Sequence, residues 1–284
     1  FCYTADNISD KILERLETFL EFNTKLFLYR NVYLGGNRKV EKIEIFSLKK
    51  IDEITLKIIE NSFCIKLKFR FIEKKDWVEL SRIKFKPLKI GRFFISSSFY
   101  AEGAPINKVL LIINSGLAFG TGHHFTTKCC LEMISYLYDL GFVSRNSIDV
   151  GCGTGILSLA VAKLFRSRVF AVDNDQNALE VTKKNIEKNS VSSFVKVFKS
   201  EGFNGSSLNS KGRYNLILAN ILHKPIKRLL LDFYKNLEPN GYLILSGLNK
   251  KQSKDIRNIC LFFNFRLVRQ QSEDNWTGLL LRKV

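Results

Sequence analysis

The sequence is poor in several residue types and lacks the patterns that mark some protein classes. Among its 284 residues there are only 4 prolines, 1 methionine and 3 histidines. It has no apolar run of about 18 residues, which a membrane-spanning helix needs, and its first residues show no basic segment followed by an apolar stretch. We therefore expect a cytoplasmic protein that neither spans a membrane nor carries a secretory signal at this amino terminus.

The cysteines form neither a disulfide framework nor a zinc site. The six cysteines, at positions 2, 64, 129, 130, 152 and 260, include no C-x-x-C pair. No set of Cys, His and Asp residues has the spacing of zinc ligands. We expect free thiols in a reducing compartment and no bound metal.

Apolar and basic residues are abundant. Hydrophobic residues make up 45% of the chain and aromatic residues 12%, which is enough for one large or two modest domains. The net charge is +18, and the segment from Ser62 to Arg92 alone has ten basic and three acidic residues. Because no nucleic-acid-binding motif organises these residues, we favour a solvated surface over a dedicated nucleic-acid face.

The first part of the chain predicts a small α/β sandwich domain over residues 1–72. Apolar residues recur at helical spacing from Ile8 to Phe22, and "DEITLKIIENS" predicts a second helix. "KLFLYR", "KIEIFSL" and "FCIKLKFRFI" have the composition of strands, and "LGGN" has that of a turn. A basic linker over residues 73–86 follows, and the second predicted domain covers residues 87–284.

From residue 109 onwards, strand and helix patterns alternate. Strands are predicted at "VLLIIN", "SIDV", "RVFAV", "FVKVFKS", "YNLILAN" and "GYLILSG". Helices are predicted from Thr126 to Leu140 and at "ILSLAVAKLF", "NALEVTKKNIEKN" and "KPIKRLLLDFYKNL". This alternation predicts a mostly parallel, doubly wound sheet. No helix separates the last two predicted strands, "FRLVRQQ" and "WTGLLLRKV", which favours an antiparallel hairpin at the sheet edge.

A glycine loop, "DVGCGTG", runs from Asp149 to Gly155 between a predicted strand and helix, where such sheets bind ligands. Gly151 and Gly153 permit a tight turn and the close approach of a ligand. Asp173 ends the next strand, where a carboxylate accepts hydrogen bonds from ribose hydroxyls. The spacing is not the dinucleotide pattern G-x-G-x-x-G, and Asp149 would repel a pyrophosphate but attract a cation. We therefore predict S-adenosylmethionine as the cofactor, and a methyltransferase rather than a dehydrogenase.

Asn220 ends the strand "YNLILAN" and has two interpretations. In the cleft, its side-chain carbonyl would orient an amine. In a structural role, it would cap the helix that starts near His223. The sequence alone does not decide between these two roles.

Two of the three histidines are adjacent in "LAFGTGHHFTTKCC", Leu117 to Cys130. The segment has features of a phosphate loop, a metal site, a catalytic Cys/His pair and the wall of a pocket. A phosphate loop needs Gly-Lys-Ser/Thr after its glycines, adjacent side chains such as His123 and His124 point apart, and a Cys129–His124 nucleophile has no use for a cofactor loop. We interpret the segment as a flexible wall over the cofactor, followed by a helix that buries the two cysteines.

These motifs resemble the PrmA family of methyltransferases, which modify the eleventh protein of the large ribosomal subunit. "GLAFGTGHHFTT" resembles the family signature G-L-A-F-G-T-G-T-H-P-T-T, and "ANILHKPI" resembles A-N-I-L-x-x-P-L. "DVGCGTGILSLAVAKL", "DWVELSRIKFKPLKIG" and "NWTGLLLRK" are similar to its cofactor loop, linker and terminal strand. The resemblance covers most of residues 76–284 and implies a seven-stranded class I methyltransferase domain with Rossmann-like topology. The chain departs from the family pattern at Ser81, His123, Phe125, His223 and Lys224.

The resemblance also implies roles for single residues. The contacts to S-adenosylmethionine would come from Thr127, Gly151, Gly153, Asp173 and Asn220. The walls of the site would include Leu117, Phe119 and Phe125. Asn220 would be the catalytic residue that aligns the attacking amine, and the base that receives its proton stays open between His124 and bulk water.

The implied substrate is large-subunit ribosomal protein eleven, methylated by a monomeric enzyme on lysine ε-amino and N-terminal α-amino groups. The small domain would recognise this substrate from a mobile linker, and the basic segment 62–92 is a candidate contact for ribosomal RNA. Two alternatives stay open. One is a methyltransferase of the same fold that acts on RNA or a small amine, and the other is a non-catalytic cofactor-binding module.

Overall fold

The chain divides into two compact units, Phe1–Lys84 and Phe85–Val284. The computed structural model describes residues 2–6, 12, 16, 26–35, 38–47, 50–70, 87–97, 101–114, 122, 124–204 and 213–284. The predicted linker at 73–86 and most of the predicted helix from Ile8 to Phe22 therefore lie outside the described residues. No helix within the described ranges is both long enough and apolar enough to span a membrane.

The smaller unit contains an antiparallel sheet and a helix. Its strands are β1 (Cys2–Asp6), β2 (Leu26–Gly35), β3 (Arg38–Ser47) and β4 (Lys68–Arg70), in the order β2-β3-β1-β4. Helix α1, Glu53–Phe63, begins after Asp52, whose carboxylate accepts the Thr55 N–H at 2.8 Å. Tyr3 and Ile59 are buried in one core. The helix predicted at residues 52–62 is confirmed, whereas β1 was not predicted.

The larger unit alternates strands and helices. Its strands are β5 (Leu88–Ile90), β6 (Phe93–Ser96), β7 (Val109–Ile112), β8 (Asn146–Val150), β9 (Arg168–Asp173), β10 (Val195–Lys199), β11 (Tyr214–Asn220), β12 (Leu237–Asn249), β13 (Phe265–Glu273) and β14 (Trp276–Lys283). Its helices are α2 (Phe125–Asp139), α3 (Ile156–Phe165), α4 (Gln176–Lys188), α5 (His223–Asn236) and α6 (Lys250–Phe262), with a 3₁₀ turn at Ala101–Gly103.

Seven of these strands form one sheet in the order β10-β9-β8-β11-β12-β14-β13. The pairs from β10 to β12 are parallel, and β14 pairs antiparallel with both β12 and β13. Helices α2, α3 and α4 contribute to the core on one face, and α5 and α6 contribute to the core on the other. The predicted doubly wound sheet and its antiparallel edge are confirmed.

Two features differ from the expectation. Helix α6 was not predicted, because only Ser253, Ile256 and Cys260 of its thirteen residues are buried, and most of the others are polar. Its start is fixed by a capping box in which Asn249 and Gln252 bond to each other's backbone N–H. The predicted strand at 109–114 forms part of a separate three-stranded sheet, β5-β6-β7, rather than of the large sheet.

Candidate active site

The candidate site lies where the large sheet changes direction. Strand β8 is central, with β9 on one side and β11 on the other, so the carboxyl ends of these three strands meet at the switch point. Gly151 follows β8, Asp173 ends β9 and Asn220 ends β11. The topology therefore brings together residues that are up to 69 positions apart, from Gly151 to Asn220.

The glycine loop has a backbone path that favours glycine. Gly151, Gly153 and Gly155 have φ angles of 74°, 56° and 79°, in the left-handed region. A Cβ on Gly151 would lie 2.3 Å from Cγ2 of Ile221, the residue after Asn220. Because of this contact, any side chain at residue 151 would displace the end of β11. The loop therefore sits directly against the strand end that carries Asn220.

The carboxylate of Asp173 is held by the glycine loop. Its Oδ2 accepts the Gly153 N–H and its Oδ1 accepts the Asp175 N–H, both at 3.0 Å. The side chain is only partly buried. Each carboxylate oxygen has more than one lone pair, so both can still accept a hydroxyl hydrogen from a ligand.

Asp149 is buried beneath the loop, with 1% of its surface exposed. Its Oδ2 accepts the Ser158 hydroxyl at 2.7 Å and the Ser158 N–H at 3.0 Å. Its Oδ1 is buried with no hydrogen-bond partner among the described residues. Burial raises the pKa of Asp149 to about 6, with a smaller contribution from Asp173, and the hydrogen bonds from Ser158 oppose this rise. A cationic or hydrogen-bond-donating ligand would satisfy the unpaired oxygen.

Asn220 contacts Thr127 across the site. Its Nδ2 donates to Thr127 Oγ1 at 3.3 Å, and Thr127 is fully buried in the first turn of α2. The Oδ1 atom of Asn220 is buried and has no hydrogen-bond partner in the described part of the chain. Helix α5 is preceded by Leu222 and has no side-chain cap, so the capping role considered for Asn220 is wrong. The unpaired carbonyl oxygen can instead accept a hydrogen bond from an amine.

The two described histidines have separate partners. His124 caps α2, because its Nδ1 accepts the Thr126 N–H at 3.3 Å and lies 2.8 Å from Thr126 Oγ1. Desolvation, and to a lesser extent Lys128, lowers the pKa of His124. Its Nδ1 is therefore occupied by the cap rather than available as a base. His223 lies 3.1 Å from Asp255, which also accepts a hydrogen bond from Lys227.

The predicted buried cysteines and wall residues of this region can be located only in part. Cys129 and Cys130 are buried in α2 as predicted, and desolvation raises the pKa of Cys129 to about 12. His123, Leu117 and Phe119 lie outside the described residues, and Phe125 is half-buried against the core. Within the described ranges, no group of three or more His, Cys, Asp or Glu side chains is arranged to hold a metal.

Sequence reasoning missed the residues of α4 that contact the glycine loop. Thr182 Oγ1 donates to Gly153 O at 2.8 Å, and Asn185 Nδ2 donates to Thr154 O at 2.9 Å. The sequence does contain one indication of their role. Both polar side chains lie on the same helix face as the apolar residues Leu179 and Ile186, which are buried. Polar residues on a core-facing stripe need partners, but their identity depends on the tertiary fold.

The chain is similar over most of its length to ribosomal protein L11 methyltransferases. The family model described as "Ribosomal protein L11 methyltransferase (PrmA)" matches residues 28–284. The ribosomal protein L11 methyltransferase of Nitratiruptor sp. is 32% identical over 268 residues, which is 90% of this chain and 90% of the relative. The protein of the same name from Rhodopseudomonas palustris is 36% identical over 213 residues, 75% of this chain and 72% of the relative.

A solved structure with the same fold is the ribosomal protein L11 methylase from Lactobacillus delbrueckii subsp. bulgaricus. The two structures superimpose with a TM-score of 0.62 at 24% sequence identity, over 70% of this chain and 100% of that chain. At this identity the likeness establishes the fold. It agrees with the seven-stranded, Rossmann-like sheet described above.

Proposed function

The chain belongs to the PrmA family of ribosomal protein L11 methyltransferases, and on this basis we propose that it methylates ribosomal protein L11 with S-adenosylmethionine as the methyl donor. The observation that carries the proposal is the Asn220–Thr127 pair beside the glycine loop. In this pair the Nδ2 of Asn220 is bound to Thr127, and its Oδ1 is buried and unpaired among the described residues, at the switch point of the sheet. An amine donor reaching this point would pair that oxygen.

The described residues fit this cofactor chemically. The cofactor supplies, when bound, a methyl group activated by a positively charged sulfur. Asp173 has lone pairs for ribose hydroxyls, and Asp149 has an unpaired oxygen that suits a cationic group. Gly151 and Gly153 have positive φ angles and contribute no side chain to the loop, which leaves its backbone open to a ligand. Thr127, in the first turn of α2, is the remaining residue that we propose to contact the cofactor.

In the proposed mechanism, the protein aligns a neutral amine. A lysine amine has a pKa near 10.4 in water, and burial in an apolar cleft lowers that value, which favours the neutral form. Asn220 Oδ1 accepts an N–H of the amine, and Thr127 fixes the orientation of the Asn220 amide by accepting from its Nδ2. Positioning and desolvation then supply most of the rate enhancement. Because His124 Nδ1 caps α2, we assign the amine proton to bulk water.

The substrate atoms and the role of the smaller unit extend this proposal. The acceptors are lysine ε-amino and N-terminal α-amino groups, and the smaller unit recognises the ribosomal protein while the larger unit catalyses transfer. The basic segment 62–92 contacts ribosomal RNA that lies near the substrate, which offsets repulsion between two basic proteins. The protein acts as a cytoplasmic monomer.

The test is to incubate the protein with labelled S-adenosylmethionine and ribosomal components that lack methylation. The expected result is label on amines of ribosomal protein L11, located by mass spectrometry of its peptides. Label on RNA with none on protein would contradict the proposal and support an RNA methyltransferase. Cofactor binding without transfer to any component would support a non-catalytic module.

A further inference from the structure

Helix α4 and the C-cap residue that follows it, Asn189, carry three polar side chains that are buried in the larger unit. Thr182, Asn185 and Asn189 have 0%, 0% and 5% of their surface exposed. They occur at positions i, i+3 and i+7, which lie on one side of a helix. Their contacts reach two different segments, the exit of β7 and the glycine loop, and these contacts are not required by the fold of α4 itself.

The side-chain amides of Asn185 and Asn189 pair with the main chain at the end of β7, as the main chain of a neighbouring strand would. Asn189 accepts the Ile112 N–H at 2.9 Å and donates to Ile112 O at 2.7 Å. Asn185 accepts the Asn114 N–H at 3.1 Å and donates to Asn114 O at 3.2 Å. Each amide thus bonds both main-chain groups of one residue, and the two residues are two positions apart, as in a β ladder. The exit of β7 is therefore fixed to α4.

Asn185 differs from Asn189 in a second contact. Its Nδ2 also donates to Thr154 O in the glycine loop at 2.9 Å. The Nδ2 of Asn189, the C-cap residue of α4, donates instead to Asn185 O in the last turn of the helix. Both hydrogens of the Asn185 amide are therefore used, one on the exit of β7 and the other on the glycine loop. Asn185 is the residue of this pair that joins the two segments.

Thr182 contacts the same loop from one turn earlier in α4. Its hydroxyl donates to Gly153 O at 2.8 Å. Its methyl carbon, Cγ2, packs so closely on Gly155 that a Cβ on that glycine would lie only 2.9 Å from it. Anchoring the carbonyls of Gly153 and Thr154 on α4 restricts the position of Gly153. The N–H of Gly153, in the preceding peptide group, holds the Asp173 carboxylate.

A glycine-rich loop needs such anchors because its backbone is intrinsically free to move. Glycine loses more conformational freedom on ordering than any other residue. If the loop were ordered only when a ligand arrives, the loss of freedom would weaken binding. Side chains that hold its carbonyls before binding remove that loss, and this favours tight binding without any contact to the ligand.

We propose that Asn185 is a positioning residue for the cofactor site, which holds the glycine loop in its binding geometry and links it to the exit of β7. The inference rests on the proposed function, because it takes S-adenosylmethionine as the ligand of the loop. Asn185 acts through Thr154 and does not touch the cofactor. Asn189 has a structural role at β7 and no role in cofactor binding.

The test compares two variants with the same chemical change, Asn185→Asp and Asn189→Asp. Each substitution removes two amide donors and keeps an acceptor for the main-chain N–H. Both variants should have a lower Tm than wild type. Calorimetric titration with S-adenosylmethionine should give a Kd raised about ten-fold for N185D, the scale of one lost hydrogen bond, and a Kd for N189D within about two-fold of wild type.

The loop contact has an independent check in Thr182→Val, which removes the hydroxyl that binds Gly153 and keeps the side-chain shape. This variant should also raise the Kd for the cofactor while leaving the exit of β7 in place. Asp173→Ala provides the reference for lost cofactor binding. In a transfer assay, N185D should raise KM for S-adenosylmethionine and leave kcat at saturating cofactor nearly unchanged.

The outcomes separate this inference from the proposed function. If N185D and N189D weaken cofactor binding equally, or if neither does, the positioning role is overturned while methyl transfer by the wild type stands. A wild-type protein that does not bind the cofactor would overturn both. If N185D does not fold, the uncharged pair Asn185→Ala and Asn189→Ala makes the same comparison.

Discussion

The amide of Asn220 has two ends in different surroundings. Its nitrogen donates to Thr127, while its oxygen is buried without a partner among the residues that the structure describes. A buried acceptor left unpaired costs about 1–3 kcal/mol. The protein keeps this cost in the absence of substrate, and a donor from the substrate removes it. The free-energy cost of the unpaired Asn220 oxygen therefore favours binding of a substrate that donates a hydrogen bond to it.

Replacing Asn220 by alanine should lower turnover much more than cofactor binding. The amine would lose the acceptor that aims it, and misplacement of this kind costs about 100-fold in rate. Single-turnover kinetics should show that loss, while the Kd for S-adenosylmethionine should change by less than about three-fold. Asn215→Ala is the matched control, because Asn215 lies on the same strand and its side chain bonds to the Val143–Asn146 segment instead of to Thr127. Equal losses in rate and binding would contradict the assigned role.

Asp149 makes the stability of the protein depend on pH. Its folded pKa of about 6 lies above the ordinary value of 3.8, so folding favours the protonated form. The stability that the protein has with Asp149 protonated is therefore fully present below pH 3.8, and it is lost as the pH rises through 6 and the buried carboxyl ionises. The total loss is about 3 kcal/mol, since one pKa unit corresponds to about 1.4 kcal/mol.

The variant Asp149→Asn should remove this dependence, because an amide stays neutral and still accepts from Ser158. Urea unfolding of wild type and variant at pH 5 and pH 8 measures the effect. The free energy of unfolding of D149N relative to wild type should increase from the lower to the higher pH. A constant difference between the two proteins would show that Asp149 is charged at both pH values.

At the scale of elements, helix α2 depends on a histidine for its start. His124 Nδ1 accepts the Thr126 N–H, which only the neutral ring can do. The rings of His124 and Trp276 also pack in a T-shaped contact, with 5.1 Å between their centroids. Thr127 lies in the same first turn, so the cap supports the residue that holds Asn220.

The cap should weaken in acid. Because the pKa of His124 is lowered from 6.5, its contribution is fully present above pH 6.5 and is lost as the pH falls through the folded value. His124→Ala should cost about 1 kcal/mol at pH 8, whereas His124→Asn should retain the cap at low pH. Unfolding free energies of the three proteins at pH 8 and pH 5 test this. A constant difference between wild type and H124N would contradict the titration of the cap.

Elements with a strong pattern could be predicted from the sequence, and contacts between distant residues could not. The glycine loop, Asp173 and Asn220 follow from apolar strands that end in characteristic residues. Helix α6 was missed because its buried stripe is narrow, and β1 because its five residues give too short a pattern. The role of Asn185 depends on where β7 and the glycine loop come to lie, which no local pattern specifies.

At the scale of the whole molecule, stability depends on the cores rather than on surface ion pairs. The side chains of the described pairs Arg92–Asp139, Arg145–Glu238 and Arg228–Glu201 are partly or largely exposed. Such pairs contribute only about 0–1 kcal/mol each. A net charge of +18, by contrast, repels itself more strongly in the compact folded state than in the expanded chain.

Added salt should therefore stabilise this protein. Raising the ionic strength from about 0.01 M to about 0.15 M shortens the screening length from about 30 Å to about 8 Å and weakens the repulsion. The Tm should rise with sodium chloride over this range and then level off. Choline chloride is a control for sodium-specific binding and should give the same rise. A Tm that falls with salt would show that ion pairs outweigh the net charge.

The order of strands also sets the order of events during synthesis. Strand β14, Trp276–Lys283, lies between β12 and β13, although both of these are translated before it. Until β14 leaves the ribosome, the edges of β12 and β13 have no partner on that side, and such edges promote aggregation. The large sheet can therefore be completed only after nearly all of its sequence has emerged, so we expect a nascent chain stalled before β14 to depend on chaperones.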